Sequence, residues 1–426
     1  MGFLGGDKVI VGYDLGNRYS QISFSLSETG DVQTLSQVAG TEHYNIPTVL
    51  CKRSGVNQWF YGKEALRYSE EEQGILVENL LELALDGEPV LIEGESFAPE
   101  ALLALFLKRS LGLLNQASSG RISALMITCE TLDGHVLEVL NRVLAASRLK
   151  ADRIVFQNYA ESYYSYMLHQ PGELWSYQSL LLFYSGSRIR AYSMECNRRT
   201  DPVVVFIEER DFPFSREPFL SGTENIRQQE AEALDRELLE LSGEVCEGKI
   251  IGSVFLIGDG FGQEWMRESL RFLCRNRRVF QGNNLFSKGA CFGMQERMRP
   301  SEAGTKHVFL GSDKLKANVG MKIMRQGEES YYALLDAGVN WYEAGQDMEF
   351  YLRDGNEIAL TVTPLTGKNG KLARIVLEDF PGTIARLRGS FYLEAENLLA
   401  VEIEDMGFGE IRPATGRVWK ERLELY

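Results

Sequence analysis

Up to about residue 300, short apolar runs alternate with stretches whose apolar residues recur every three or four positions. Runs at 8–13, 21–26, 122–128, 153–156, 179–184, 188–194, 203–207 and 253–257 predict strands; the spacing over 99–113, 133–147, 160–169, 224–241, 264–274 and 284–297 predicts helices. Pro99 suits a first helical turn, where its missing N–H costs no hydrogen bond. Strands interleaved with helices imply an α/β architecture with a mixed sheet. From about Lys306 onward the helical period is gone. Ile358, Leu360 and Val362 alternate with Ala359, Thr361 and Thr363, the pattern of a half-buried strand. Residues 331–335, 348–352, 372–377, 389–393 and 398–403 read similarly, with turn signals at 354–356, 367–370 and 396–397, so an all-β sandwich is expected. The polar, breaker-rich stretch 299–305 reads as the joint. The predicted organisation is an α/β domain over 1–299, a linker over 300–318 and a sandwich over 319–426.

Composition narrows the function classes. The 426 residues are 44% hydrophobic and 25% charged, which suits a globular chain of two or three domains. Sixty Asp and Glu against 45 Lys and Arg give a net charge of −15, a field that repels phosphate backbones and anionic lipid head groups. Nucleic acid is therefore not expected as a partner. The six cysteines form no C-x-x-C pair and there are only four histidines, which argues against a zinc site and for free thiols in a reducing cytoplasm. Residues 1–6 do not resemble a signal peptide, and no apolar stretch reaches the roughly 18 residues of a membrane helix.

Three glycine turns hold the candidate chemistry. Residues 11–16 followed by an alternating strand, and residues 182–187 followed by 189–194, share a strand, tight turn and strand layout about 170 residues apart. Such an internal echo suggests a duplicated lobe with a cleft between the copies. Asp14-Leu15-Gly16 joins a close-approach glycine to an acid that can hold a metal-bound water. Gly258-Asp259-Gly260-Phe261-Gly262 follows a strand and is expected to open a helix whose first amides face an anion or nucleoside. Each turn taken alone also reads as ordinary chain reversal.

Taken together these segments resemble the actin-like ATPase domain of the seventy-kilodalton heat-shock chaperones, the DnaK-type family. Residues 11–20, VGYDLGNRYS, look like its first phosphate motif, and residues 254–263, VFLIGDGFGQ, like its adenosine motif. Residues 44–50 and 61–65 resemble its next strands; 124–129 and 152–168 resemble the strand and helix that join its lobes, and 286–290 its second connecting helix. Residues 308–310 sit where the family has an apolar interdomain linker. Residues 319–423 look like its peptide-binding sandwich, with FYLEAENLLAVEIED at 391–405. The resemblance implies an actin-like fold of duplicated ribonuclease H-like lobes. It offers Asp14, Gly16, Asn17, Arg18, Gly186, Gly258 and Gly260 as positions for ATP or ADP, and Met321, Ile323, Leu360 and Val362 as a groove for an extended peptide, with sandwich core as their alternative role.

The departures from that family weigh against turnover. In FYSGSRIRAY, residues 183–192, Tyr184 stands where the family has its second acid, and Gly186 is the one glycine kept of the usual run. Asn17 and Arg18 replace threonines, Asn79 falls in the region of the lysine, and Asn158 is near the position of a glutamate. Groups that act as a unit lose the reaction when several go. Only about 70 residues separate Gly186 from Gly258, so the subdomain that closes over adenine is largely missing. Arg18 and Arg188 fall on the phosphate turns, where a guanidinium can bind phosphates or take their place; the alternative is a solvated or intramolecularly paired arginine, which the excess of acid makes easy. The expected role is chaperone-like or scaffold binding of protein or peptide, with no catalytic residue, no metal site, and ATP or ADP bound weakly or not at all. The alternatives are a divergent ATPase using Asp14 and Asp259, and actin-like filament assembly.

Overall fold

The computed structural model describes residues 8–426 apart from 29, 39, 119, 216–223, 263, 354, 366–369 and 381–383. The expectations for residues 1–6, for residue 354 and for most of the turn at 367–370 lie outside the described residues. The chain divides into two compact units, Met1–His307 and Val308–Tyr426.

The first unit contains two large sheets. One is built from β1 (Lys8–Leu15), β2 (Tyr19–Ser25), β3 (Gln33–Thr34), β4 (Arg121–Cys129) and β5 (Arg153–Asn158), in the order β5-β4-β1-β2-β3. The other is built from β6 (Gln178–Ser185), β7 (Arg188–Asn197), β8 (Val203–Pro213), β9 (Ile251–Ile257) and β10 (Arg278–Gly282), and within this unit it runs β10-β9-β6-β7-β8. In both, the first three strands are antiparallel and the last two lie parallel to the first. The two sheets thus repeat one topology, and the hairpins that echo each other in sequence, β1-β2 and β6-β7, occupy equivalent places in it. The central strand β1 is buried from Val9 to Leu15, which its unbroken apolar run requires of a strand covered on both faces.

Six helices matter for the cleft: α1 (Leu80–Asp86), α2 (Pro99–Leu111), α3 (Gly134–Ser147), α4 (Tyr159–Leu168), α5 (Glu224–Cys246) and α6 (Leu285–Met298). Each of α4 and α6 follows the last strand of one sheet and packs on the other sheet. From α4, Tyr163 donates to Ser179 of β6 at 2.6 Å and sets its ring edge-on to Phe255 of β9. The second helix, α6, lies along β1, β2 and β4. The helices meet each other at Gly289, where a Cβ would stand 1.9 Å from the Ser162 carbonyl oxygen, so only glycine allows this backbone approach. This helix pair fixes the two sheets about a common cleft.

The second unit is a sandwich of two four-stranded antiparallel sheets. Its strands are β11 (Ala317–Arg325), β12 (Glu328–Leu335), β13 (Gly345–Arg353), β14 (Glu357–Pro364), β15 (Lys371–Val376), β16 (Ile384–Ala395), β17 (Leu398–Asp405) and β18 (Val418–Glu424). The sheet orders are β12-β11-β14-β15 and β13-β16-β17-β18. Strict alternation in β14 and β16 puts every second residue into one shared core.

One local expectation changes. The helix expected over 264–274 is confined to Glu268–Leu273, because Trp265 turns inward, buried, with its indole donating to the Gly260 carbonyl at 2.8 Å. Asp235 of α5 caps the shortened helix, accepting from the amides of Arg267, Glu268 and Ser269. Within the segment 300–318, read as the linker, the chain forms local structure. Ser301 accepts from the Gly304 amide and starts a short helix, Glu302–Lys306; Phe309, Leu310 and Leu315 are buried beyond it.

Candidate functional site

Between the two sheets of the first unit lies a cleft of about 430 Å³. Asp14, Gly16, Asn17, Arg18 and Gly258 line it, so the structure brings five of the seven proposed ligand residues together. Gly186 and Gly260 are not among the lining residues. Gly186 turns the β6-β7 hairpin with φ +64. Gly260 is pressed against the ring of Tyr184, where a Cβ would stand 2.3 Å from a ring carbon.

Asp14 is on the penultimate position of β1 and only 7% exposed. Its Oδ1 accepts a 2.7 Å hydrogen bond from the Tyr159 hydroxyl at the start of α4. Burial pushes the carboxyl up to about 7; the tyrosine bond works against that shift, and the charge of nearby Glu130 adds to it. The Tyr159 ring stacks on Phe286 of α6 at 3.8 Å, and Phe183 of β6 stands edge-on to both. Rings from α4, α6 and β6 therefore line the cleft that holds this buried acid.

The opposing hairpin supplies no carboxylate at the matching place. Tyr184 is 1% exposed and belongs to the core of the second sheet's lobe, with its ring against Phe214, Phe261 and Trp265 and its hydroxyl donating to the Ser215 carbonyl at 2.7 Å. Gly258, at φ +117, is required here: a Cβ would lie 2.2 Å from the Tyr184 carbonyl oxygen. The turn that resembles an adenosine motif is thus packed against Tyr184.

The flanking polar residues are already engaged. Asn17 donates to Asn79 Oδ1 at 3.3 Å and to Glu82 Oε2 at 3.2 Å, and accepts from the Glu82 amide. Asn79 has φ 55 and precedes α1. The Arg18 guanidinium lies over the ring of Tyr19 at 5.5 Å. Arg188 bonds Glu130 at 2.5 Å and Asp211 at 3.4 Å. Beside it, Arg190 grips Asp211 through two 2.7 Å bonds and holds that carboxyl below its usual range. Asn158 caps α4, its Oδ1 accepting from the Glu161 amide at 2.8 Å. At the mouth, Gln21 donates to Asn45 Oδ1 at 2.5 Å and to the Asn283 carbonyl at 2.6 Å, and Asn45 donates to Asp259 at 2.7 Å. This chain of amides ties the first sheet to the loops of the second.

Sequence reasoning missed Tyr159, Glu130, Glu82 and Asn45. Glu130 had a readable signal, as the residue directly after a strand that ends in the cleft; the other three are brought in by helices and loops distant in sequence. Among the described residues, no group of three His, Cys, Asp or Glu side chains is placed to hold a metal ion.

In the sandwich, Met321, Leu360 and Val362 are at most 4% exposed and sit in the core between the sheets, with Met321 opposite Leu360 in register; Ile323 is half-buried against them. Met321, Leu360 and Val362 thus take the core position that was the alternative role of these residues, while Ile323 keeps part of its surface exposed. Trp341 and Phe350 likewise pack against that core. Exposed apolar side chains of the same sheet are Met324, Tyr331, Leu372 and Val376. The other sheet exposes Tyr351, Ile384, Tyr392 and Val418 together with paired charges, including Arg386–Glu349, Lys420–Glu402 and Arg422–Glu394.

Residues 31–312 match the C-terminal model of a family of unknown function, DUF5716, and the chain belongs to that family. Residues 314–425 match a domain of unknown function, DUF8552. The gap between the two matches falls close to the boundary between the structural units. None of the curated proteins matches the chain.

Proposed function

We propose that this chain is a non-catalytic binding protein: an actin-like domain of the DnaK-type chaperone kind with decayed ATPase machinery, followed by a sandwich that engages protein or peptide partners in a chaperone-like or scaffold role. The observation that carries the reading is the place of Tyr184. Hydrolysis of a magnesium-bound triphosphate needs preorganised acids on both hairpins. Here one hairpin presents Asp14, and the other has a tyrosine that fills its own lobe's core. The residues present do not fit magnesium–ATP as that family holds it, and no catalytic step is derived through it.

The repeated sheet topology and the crossed helices α4 and α6 support the actin-like reading. The exposed Met324, Tyr331, Leu372 and Val376 support a protein-binding sandwich, since apolar side chains on a sheet face are costly to leave in water. The six free cysteines accord with a cytoplasmic setting.

A second reading, a divergent ATPase, draws on the fact that Asp14 and Asp259 line the same cleft. Thermal shift with ATP or ADP, with and without magnesium, separates the two. A ligand that binds the folded state raises its melting temperature. The non-catalytic reading expects no magnesium-dependent shift; a large one favours the ATPase.

A further inference from the structure

The second sheet carries a pocket at its end away from the cleft. The cleft is lined where β6 ends, β7 begins and β9 ends, at Ser185, Arg188 and Ile257. At the opposite end, where β6 begins at Gln178, β7 finishes at Asn197 and Ile250 precedes β9, there is an open pocket of about 640 Å³. Three cations line it, Arg198, Arg199 and Lys249, against one carboxylate, Glu195. Lys249 bonds Glu208 at 3.1 Å, and Glu195 accepts from the Gln178 side-chain amide at 3.0 Å. Arg198 donates to the Trp175 carbonyl at 3.2 Å, and both arginines are exposed, with no ion pair to either among the described residues. Even with Glu208 counted, the pocket has a positive excess on a chain of net charge −15, a local field that draws carboxylates.

Beside the charges stand two large apolar side chains. Tyr177 is 62% exposed and Ile250 71%, and the Gln178 amide donates to the Ile250 carbonyl at 3.1 Å, which brings the two segments together. Exposed apolar residues scattered singly are ordinary, but a neighbouring pair in a concave surface rimmed by charge marks a docking place. A carboxylate presents two oxygens to the planar fork of a guanidinium, and an apolar side chain gains by leaving water for Tyr177 and Ile250. A phosphate backbone would satisfy the arginines yet leave Ile250 in water, and it would meet the field of the whole acidic chain.

We propose that this pocket docks a short acidic segment of a partner protein, with carboxylates on Arg198 and Arg199 and an apolar side chain seated on Tyr177 and Ile250. This goes beyond the protein-binding reading of the sandwich and stands without it, because every lining residue belongs to the first unit. The charged part of the attraction weakens as salt screens it, while the apolar contact persists.

The test is fluorescence anisotropy of the full chain with two labelled peptides, Asp-Glu-Phe-Glu-Asp and Asp-Glu-Leu-Glu-Asp, blocked at both ends. Comparison peptides carry Lys in place of the acids, or Ser in place of the central residue. The proposal expects at least one acidic peptide to bind saturably, the lysine forms not to bind, and the serine form to bind severalfold more weakly. Arg199→Glu is expected to weaken binding about tenfold or more, and Ile250→Ser severalfold. Lys150→Glu makes the same change of charge at an exposed position between α3 and β5, and is expected to leave affinity unchanged. Raising salt from about 0.05 M to about 0.3 M should weaken binding severalfold. A melting curve of each variant without peptide checks that it is folded. No binding of either acidic peptide, a serine form as tight as its parent, unchanged affinity in folded Arg199→Glu, or an equal loss in Lys150→Glu overturns the proposal. Tighter binding of a single-stranded oligonucleotide, lost in Arg199→Glu, overturns it in favour of nucleic acid. Self-association of the chain that Arg199→Glu abolishes overturns it in favour of a second copy.

Discussion

Tyr159 reaches from the first turn of α4 to donate a 2.7 Å hydrogen bond to Asp14 at the end of β1, 145 residues earlier in the chain. It is the only hydrogen bond to the Asp14 carboxyl from a side chain among the described residues, and it opposes the upward shift that burial imposes on that acid. It joins the strand that carries the first glycine turn to the helix that packs on the opposite sheet.

The first prediction concerns pH. Asp14 has a folded-state pKa of about 7 against an ordinary value of 3.8, so between these values the folded state holds a proton that the unfolded state has released. Stability therefore falls as pH rises through that window, by up to a few kcal/mol at about 1.4 kcal/mol per pH unit. Urea unfolding at pH 5 and pH 8 should show the loss in the parent chain, and Asp14→Asn should flatten it and be the more stable protein at pH 8. Tyr159→Phe removes a bond that favours the charged form, and should extend the parent's loss to higher pH.

Restoring an acid on the second hairpin should break the fold before it builds a site. Tyr184→Asp places a charge among Phe214, Phe261 and Trp265 and removes a large ring, a change expected to cost about 3–5 kcal/mol. Tyr184→Phe loses only the bond to Ser215 and should cost about 1 kcal/mol. Chemical denaturation measures both. A stable Tyr184→Asp that hydrolyses ATP would show the tyrosine to be a simple replacement at an intact site.

Gly289 and Gly243 make a matched pair of helix substitutions. A methyl at Gly289 collides with the Ser162 carbonyl and should destabilise by about 1–3 kcal/mol by forcing α4 and α6 apart. At Gly243 in α5 a methyl meets nothing within 4 Å, and Gly243→Ala should stabilise by up to about 1 kcal/mol. Equal effects at the two sites, read from urea midpoints, would contradict the close helix crossing.

In the sandwich, Leu360→Ala should cost about 2–5 kcal/mol as a core cavity, whereas Tyr331→Ser and Leu372→Ser, at exposed positions, should leave the melting temperature nearly unchanged. If Leu360→Ala is silent in unfolding, the residue is not core and the groove reading returns.

Much of this fold is legible in the chain. Each strand expected in the first unit forms, with ends moved by up to six residues, because its run of branched and aromatic residues leaves no alternative period; the run of β1 is buried almost throughout, whereas β8 is largely exposed. The alternation of Ile358, Leu360 and Val362 likewise gives β14. Local pattern does not show which side of a sheet is core and which is exposed, so Met321 and Leu360 read equally as groove or interior until the second sheet covers them. The cleft is half legible. Asp14 and Gly258 announce themselves by their turns, but Tyr159, Glu82 and Asn45 reach them only through tertiary packing. The helix expected over 264–274 shortens for a similar reason, since burial of Trp265 outweighs the local period.

The most direct test of the central claim is a single-turnover assay in which excess protein meets γ-labelled ATP and magnesium. Phosphate release at the rate of the protein-free buffer, identical for the parent and for Asp14→Asn, is the predicted result. Release that is faster in the parent and abolished by Asp14→Asn would contradict it.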